Sequence, residues 1–214
     1  TVGPDWLRRG ATWYLVVSNF EDPMFSYLHR QRLVAPAVRM LTVYDKPSVC
    51  YDVLEMRRVE LAQAGEGQKF DADLRNSGGK IYAFMKRPIG GVAVECTASP
   101  SAAGDLAVRV EVVDDAGTAI SGALPVELNL IAPRGQLAER YRAAAPVVNE
   151  IFRIPANAAA GEWKLVVREL IAGHAAAHTF QIAAAPDVVK LAEDTRDVLV
   201  HDAPLVKRML AGMK

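Results

Sequence analysis

The chain has 214 residues, 51% of them apolar, and its 25 Lys plus Arg balance 25 Asp plus Glu. That content is enough to bury a core, and the length suits one large domain or two of about 90 residues each. The charges are interspersed and leave no basic face to neutralise phosphates, which argues against nucleic acid or an anionic membrane surface as a partner.

Residues 11–20 read as the first long strand. Trp13, Leu15 and Val17 alternate with Tyr14, Val16 and Ser18, so both faces are largely apolar and the strand belongs inside a layered structure. Asn19-Phe20-Glu21-Asp22-Pro23 ends it. Residues 24–36 mix Phe25, Tyr27 and Leu28 with His29, Arg30 and Arg32 in no clean period, and are read as a loop plus an edge strand. Residues 38–44 form another strand, closed by Asp45-Lys46-Pro47 because proline cannot donate to a ladder. Three short segments follow, 49–54, 57–62 and 68–74, with a glycine turn at Gly65-Glu66-Gly67. A last strand at 80–85 comes after Asn76-Ser77-Gly78-Gly79.

Arg87-Pro88-Ile89-Gly90-Gly91 is a boundary signal, after which strand patterns resume at 92–97. Leu106, Val108, Val110 and Val112 alternate with Ala107, Arg109 and Glu111, the mark of a half-buried antiparallel strand. Leu124, Val126, Leu128 and Leu130 repeat it up to Pro133-Arg134-Gly135. Segments 137–141 and 148–154 make the next pair, and Trp163, Leu165 and Val167 face a core opposite Lys164 and Arg168 before residues 177–183 return past Gly173. Short strands at such intervals, with no helical period between them, predict an all-β fold of two antiparallel β-sandwiches in tandem, residues 1–88 and 89–185.

The tail differs in kind. After Pro186-Asp187, the residues Val188, Leu191, Thr195, Val198 and Leu199 fall on one stripe of a helix, and beyond Pro204 the residues Leu205, Val206, Met209, Leu210 and Met213 make a second apolar set. Residues 186–214 are therefore expected to be an amphipathic helical tail. Its docking face would be Val188, Leu191, Val198, Leu199, Leu205 and Met209, packed on an upstream domain of the same polypeptide or on a partner subunit.

Two resemblances sharpen this reading. Val108 to Asp114 with Gly117, Leu130 to Gly135 with Tyr141, and Phe152-Arg153-Ile154-Pro155 followed by Gly161-Glu162-Trp163-Lys164-Leu165 are similar to the macroglobulin-type, immunoglobulin-like domains of large bacterial secreted proteins, over residues 92–183. In the first half, Tyr14 to Phe20, Val49 to Leu54 and Gly78 to Phe84 resemble the small β-sandwich at the C-terminal end of many glycoside hydrolases; residues 24–36 depart from that pattern. The resemblance implies the C-terminal end of a large, extracytoplasmic, glycosidase-like protein whose catalytic carboxylates lie upstream. Thr1, leading at once into a tryptophan-bearing segment, gives the same expectation of a longer polypeptide, with any targeting signal before it.

Chemistry finds little purchase. His174 and His178 are four apart, but a hairpin around Gly173 would hold them about 13 Å from one another, so an exposed loop is the expectation. The acidic pairs Asp71 and Asp73, Asp114 and Asp115, and Glu193 and Asp194 suit turns and helix surfaces better than a catalytic cleft. Calcium at Asp114-Asp115 or at Glu21-Asp22 is a minority alternative. There is no G-x-S-x-G elbow or phosphate-binding glycine loop, and neither Cys50 nor Cys96 has a nearby histidine. The cysteines are read as free apolar thiols, with a disulfide as the alternative.

No catalytic residue, metal ligand, cofactor or membrane span is expected, the last because no apolar run approaches about 18 residues. Aromatic side chains are the remaining handle, since sugar rings stack on them. Trp13 and Trp163 alternate with core residues and are expected to be packing anchors, while Tyr27 and Tyr141 are the candidates for glycan contact. The expected role is a non-catalytic structural or interaction segment of a larger multidomain protein. The alternative is a carbohydrate-binding accessory module with polysaccharide as partner.

Overall fold

The computed structural model describes residues 2–19, 38–47, 49–75, 79–97 and 104–183. The helical tail, its six docking residues and the 24–36 segment with Tyr27 lie outside them. The described chain is nearly all β. In order, its strands are β1 (Val2–Arg9), β2 (Thr12–Asn19), β3 (Val38–Val43), β4 (Val49–Asp52), β5 (Arg57–Val59), β6 (Ala62–Ala64), β7 (Gly67–Asp73) and β8 (Gly79–Met85). Then come β9 (Gly91–Cys96), β10 (Asp105–Val113), β11 (Leu124–Ile131), β12 (Leu137–Ala145), β13 (Val147–Arg153), β14 (Gly161–Glu169) and β15 (Ala175–Ile182), with one 3-10 turn at Pro133–Gly135.

These strands form four antiparallel sheets, in the orders β1-β2-β8-β4-β5, β3-β7-β6, β13-β10-β9 and β12-β11-β14-β15. Strand β1 is absent from the sequence reading. Its Pro4, Asp5, Arg8 and Arg9 hide any apolar period, because it is a solvent-exposed edge paired only with β2. The two strands are joined by the two-residue loop Gly10-Ala11, where Gly10 adopts a positive φ of 62° that a hairpin of this length requires at its first position. The segment expected as one strand at 57–62 is two: β5 pairs with β4, whereas β6 pairs with β7 in another sheet. The chain crosses between sheets at Glu60-Leu61, a change that hydrophobic period does not register.

Two apolar clusters organise the described residues. One contains Leu15, Val17, Cys50, Tyr82 and Phe84 from the five-stranded sheet and Val43, Phe70, Ala72 and Leu74 from β3 and β7 with its exit. Phe70 meets the rings of Tyr82 and Phe84 edge to face, at 4.8 and 6.0 Å between centroids, an arrangement that suits the ring quadrupoles. The other takes the inward residues of β10, β11, β13, β14 and β15, and adds Val49, Tyr51, Ala83, Met85 and Ile89. The central strands β2, β4 and β8 of the five-stranded sheet thus bury both faces, and the larger cluster draws on both sides of residue 88. This is why β2, β4 and β8 lack a polar face in the sequence.

Polar contacts fix the junction. The Tyr14 phenol donates to the Ala123 carbonyl (2.7 Å), the Ile89 N–H donates to the Tyr51 hydroxyl (2.9 Å), and Ala11 N–H donates to the Ser121 carbonyl (3.0 Å). Burial pushes the Tyr14 phenol up to about 12, so it stays a donor at any ordinary pH. Gly90 follows immediately after, and a Cβ there would stand 2.5 Å from the Asp115 backbone nitrogen and 2.6 Å from the Asp114 carbonyl carbon. Backbone cannot yield as a side-chain tip can. Gly90→Ala is therefore expected to cost about 1–3 kcal/mol through overpacking; a denaturant midpoint equal to that of the parent protein would refute the close approach.

Candidate functional site

The strands β1 and β2 build an exposed pair of tryptophans. Trp6 lies opposite Leu15 and Arg8 opposite Trp13, so with the two-residue period of a strand Trp6, Arg8 and Trp13 stand on the same face. The indoles of Trp6 and Trp13 meet edge to face at 6.4 Å between centroids, and Trp6 tilts onto the buried Phe84 at 5.5 Å. Beyond β3, Asp45 adopts a left-handed φ of 54°, and the Lys46 ammonium lies 4.3 Å from the centre of the Trp13 ring and 5.0 Å from that of Trp6. The Arg8 guanidinium is 5.2 Å from Trp13. These are cation–π distances, and each contact at such an exposed site contributes about 0.5–1 kcal/mol. Trp6 keeps 38% of its surface in solvent. Among the described residues, neither Arg8 nor Lys46 forms an ion pair with a carboxylate.

The residues singled out in the sequence are dispersed. Tyr141, on β12, is 38% exposed, as expected of a surface aromatic, and a hydrogen bond to Glu150 raises its pKa. Trp163 is buried and donates its indole N–H to the Ala159 carbonyl (2.9 Å), a packing anchor with its polar end satisfied. Trp13 is only half-buried and packs at the rim of its cluster. His174 is exposed beside Gly173, while His178 is half-buried and stacks on Phe180 at 6.4 Å. Cys50 and Cys96 are both free, and belong to different clusters; burial pushes the Cys50 thiol up to about 12.

The described acidic pairs sit in turns and on surfaces. Asp73 accepts two bonds from the Arg75 guanidinium (2.9 and 2.6 Å), which holds its carboxyl far below the usual range. Asp114 accepts the N–H groups of Thr118 (2.8 Å) and Ala116 (3.1 Å) and pairs with Arg87; these bonds lower its pKa and close the turn after β10. Among the described residues no group of three or more His, Cys, Asp or Glu is placed to hold a metal ion. No helix among them is long and apolar enough to cross a membrane.

Two buried polar groups are absent from the sequence reading. Glu169, fully buried at the end of β14, accepts hydrogen bonds from the N–H groups of Ile171 (2.8 Å), Ala172 (3.0 Å) and His174 (2.8 Å), so that its carboxylate organises the whole turn to β15. Asp52 accepts the N–H groups of Leu54 and Glu55 (both 3.1 Å) through one oxygen and the buried Lys80 ammonium (2.8 Å) through the other. Lys80 also pairs with Glu55. In both cases a parity signal exists in the sequence: Glu169 continues the inward series Trp163, Leu165, Val167, and Lys80 continues Tyr82 and Phe84. A charged side chain in an inward register implies a buried partner.

Neither the family models nor the curated proteins compared with the chain give a match. Solved structures give partial superpositions. β-Glucuronidase of Parabacteroides merdae matches with a TM-score of 0.32 at 8% identity, over 81% of this chain and 28% of that one. β-Glucuronidase 3 of Bacteroides uniformis matches at 0.27 and 10% identity, over 83% and 27%. β-Glucosidase of Listeria innocua, solved with glucose, matches at 0.29 and 12% identity, over 44% and 16%. The chain spans less than a third of the length of each.

Proposed function

We propose that this chain is a non-catalytic supporting and interaction segment of a larger, extracytoplasmic multidomain protein. In this reading residues 1–88 and an immunoglobulin-like 89–185 are two β-sandwiches, and the sequence of residues 186–214, which lie outside the described ones, supplies an amphipathic helical pattern. The observation that carries this reading is the burial of β2, β4 and β8 on both faces of the five-stranded sheet, with Tyr14, Tyr51 and Gly90 at the junction. Such a joint holds two layers in a fixed relation, as a spacer or platform for an upstream domain must. The partner-docking element is the tail, through Val188, Leu191, Val198, Leu199, Leu205 and Met209.

Deleting residues 186–214 is expected to weaken assembly with the upstream region or a partner subunit. In sedimentation velocity the truncated protein should show less of the assembled species at equal concentration. Identical profiles with and without the tail would count strongly against a docking role.

A second reading, a carbohydrate-binding accessory module, is favoured by the exposed indole of Trp6 beside Trp13, Arg8 and Lys46. An apolar ring with polar groups at its edge is what a sugar-binding surface needs. This platform stands beside the exposed Tyr141 as a contact surface, with its two aromatic rings held together; Tyr27 lies outside the described residues.

A further inference from the structure

We propose that the Trp6–Trp13 platform takes an anionic saccharide, a sugar ring carrying a carboxylate or a sulfate; the proposal rests on the carbohydrate-binding reading and adds the substrate class. The reasoning starts from what each group on this surface lacks. Trp6 presents over a third of its surface to water from the middle of an edge strand, although indole is among the most costly side chains to leave hydrated. Trp13, beside it, is half-buried, and its ring is capped by two cations from different parts of the chain, Arg8 of β1 and Lys46 of the loop after β3; the same ammonium lies 5.0 Å from the centre of the Trp6 ring, so it borders both indoles. Some of the described cations elsewhere are matched by carboxylates, as Arg57 is by Glu55, Arg75 by Asp73, Arg87 by Asp114 and Arg142 by Glu127; Arg8 and Lys46 differ in standing together over the Trp13 indole. Arg8 donates instead to the Gly10 carbonyl (3.1 Å), which orients the guanidinium, and no carboxylate among the described residues pairs with it.

A neutral sugar would use the indole face and leave both cations without a counter-charge. A small inorganic anion would meet the cations and leave the indole wet. A pyranose ring with an acidic substituent satisfies both: its C–H face covers Trp6 while the acid group accepts hydrogen bonds from Lys46 and Arg8. Single-stranded nucleic acid also combines stacking with charge, but it tracks a row of cations along its backbone, and the formal charge of the chain is zero.

The test is isothermal calorimetry on the full chain with four probes: oligogalacturonate for the carboxylate, a sulfated glycan oligomer for the sulfate, a neutral xylo-oligosaccharide, and a single-stranded oligonucleotide. One or both acidic glycans should bind, more weakly as salt is raised, and the neutral sugar and the oligonucleotide should not. Lys46→Gln and Trp6→Ala should each weaken binding roughly ten- to a hundredfold, the range expected for a lost charge-assisted hydrogen bond or a lost stacking surface. Lys46→Gln changes only a loop side chain and serves as the variant that preserves the fold, checked by near-ultraviolet circular dichroism. If neutral and acidic sugars bind alike, with Trp6→Ala weakening both and Lys46→Gln neither, the anionic preference is wrong and the carbohydrate reading survives. No binding of any saccharide removes both. Acidic-glycan binding that neither variant alters, or equal binding of the oligonucleotide, overturns the assignment of this site.

Discussion

Replacing Glu169 with alanine is expected to lower the unfolding free energy by about 3–5 kcal/mol, because the N–H groups of Ile171, Ala172 and His174 lose their acceptor where solvent has little access, and each orphaned donor costs about 1–3 kcal/mol. The carboxylate is fully buried, yet no cation pairs with it among the described residues; backbone N–H dipoles alone hold the charge. Glu169→Gln should recover only part of the loss, since one oxygen still accepts while the new amide N–H₂ faces donors. Urea titration followed by circular dichroism measures both variants. A loss below about 1 kcal/mol for the alanine variant would mean that the turn finds other acceptors, and that the carboxylate does not organise it.

The second large effect concerns Lys80. Lys80→Met should destabilise by about 3–5 kcal/mol, because it leaves the Asp52 carboxylate buried without its cation. Adding Asp52→Asn should make the protein more stable than Lys80→Met alone. The asparagine oxygen can still accept the Leu54 and Glu55 N–H groups while the uncompensated charge disappears. If the double variant is less stable than Lys80→Met, the capping bonds outweigh the charge and the pair is not the main term. The alkaline limb gives a second readout. Burial acts to lower the Lys80 pKa, but hydrogen bonds to Asp52 and Glu55 outweigh it and raise the value overall. A raised folded-state pKa means the contribution is complete below the unfolded value of about 10.4 and is lost as the pH climbs through the folded one. The parent protein should therefore lose stability there relative to Lys80→Met.

What the sequence disclosed follows from how each strand is buried. In β10, β11 and β14 one face meets the core and the other meets water or half-buried positions, so Leu106 to Val112, Leu124 to Leu130 and Trp163 to Val167 announce themselves by alternation. β1 does not, because its side chains from Pro4 to Arg9 are exposed on both faces. The aromatic platform is hidden with it: Trp6 is visible as a tryptophan, but without the strand nothing places it beside Trp13, and Lys46 arrives from a turn through a left-handed conformation at Asp45 that no hydrophobic period records. Tyr141 was legible as a surface residue, since its strand carries Glu139, Arg140 and Arg142 around it. Glu169 and Lys80 are legible only by parity, as charges in an inward register, a signal weaker than the apolar alternation around them.

The doubly buried β8 has a consequence for how the chain finds its pairing. In a strand with one wet side, a slip of a single residue exposes hydrocarbon and is rejected on polarity alone. From Ile81 to Met85 both sides of β8 are apolar, so polarity is mute and the choice falls to volume and to one charge: Tyr82 and Phe84 fill the space around Phe70, Ala83 and Met85 face the larger cluster, and Lys80 reaches its carboxylate only in the native alignment. Sidedness in this strand is decided by bulk on one side, smallness at Ala83 on the other, and a single electrostatic latch at the end.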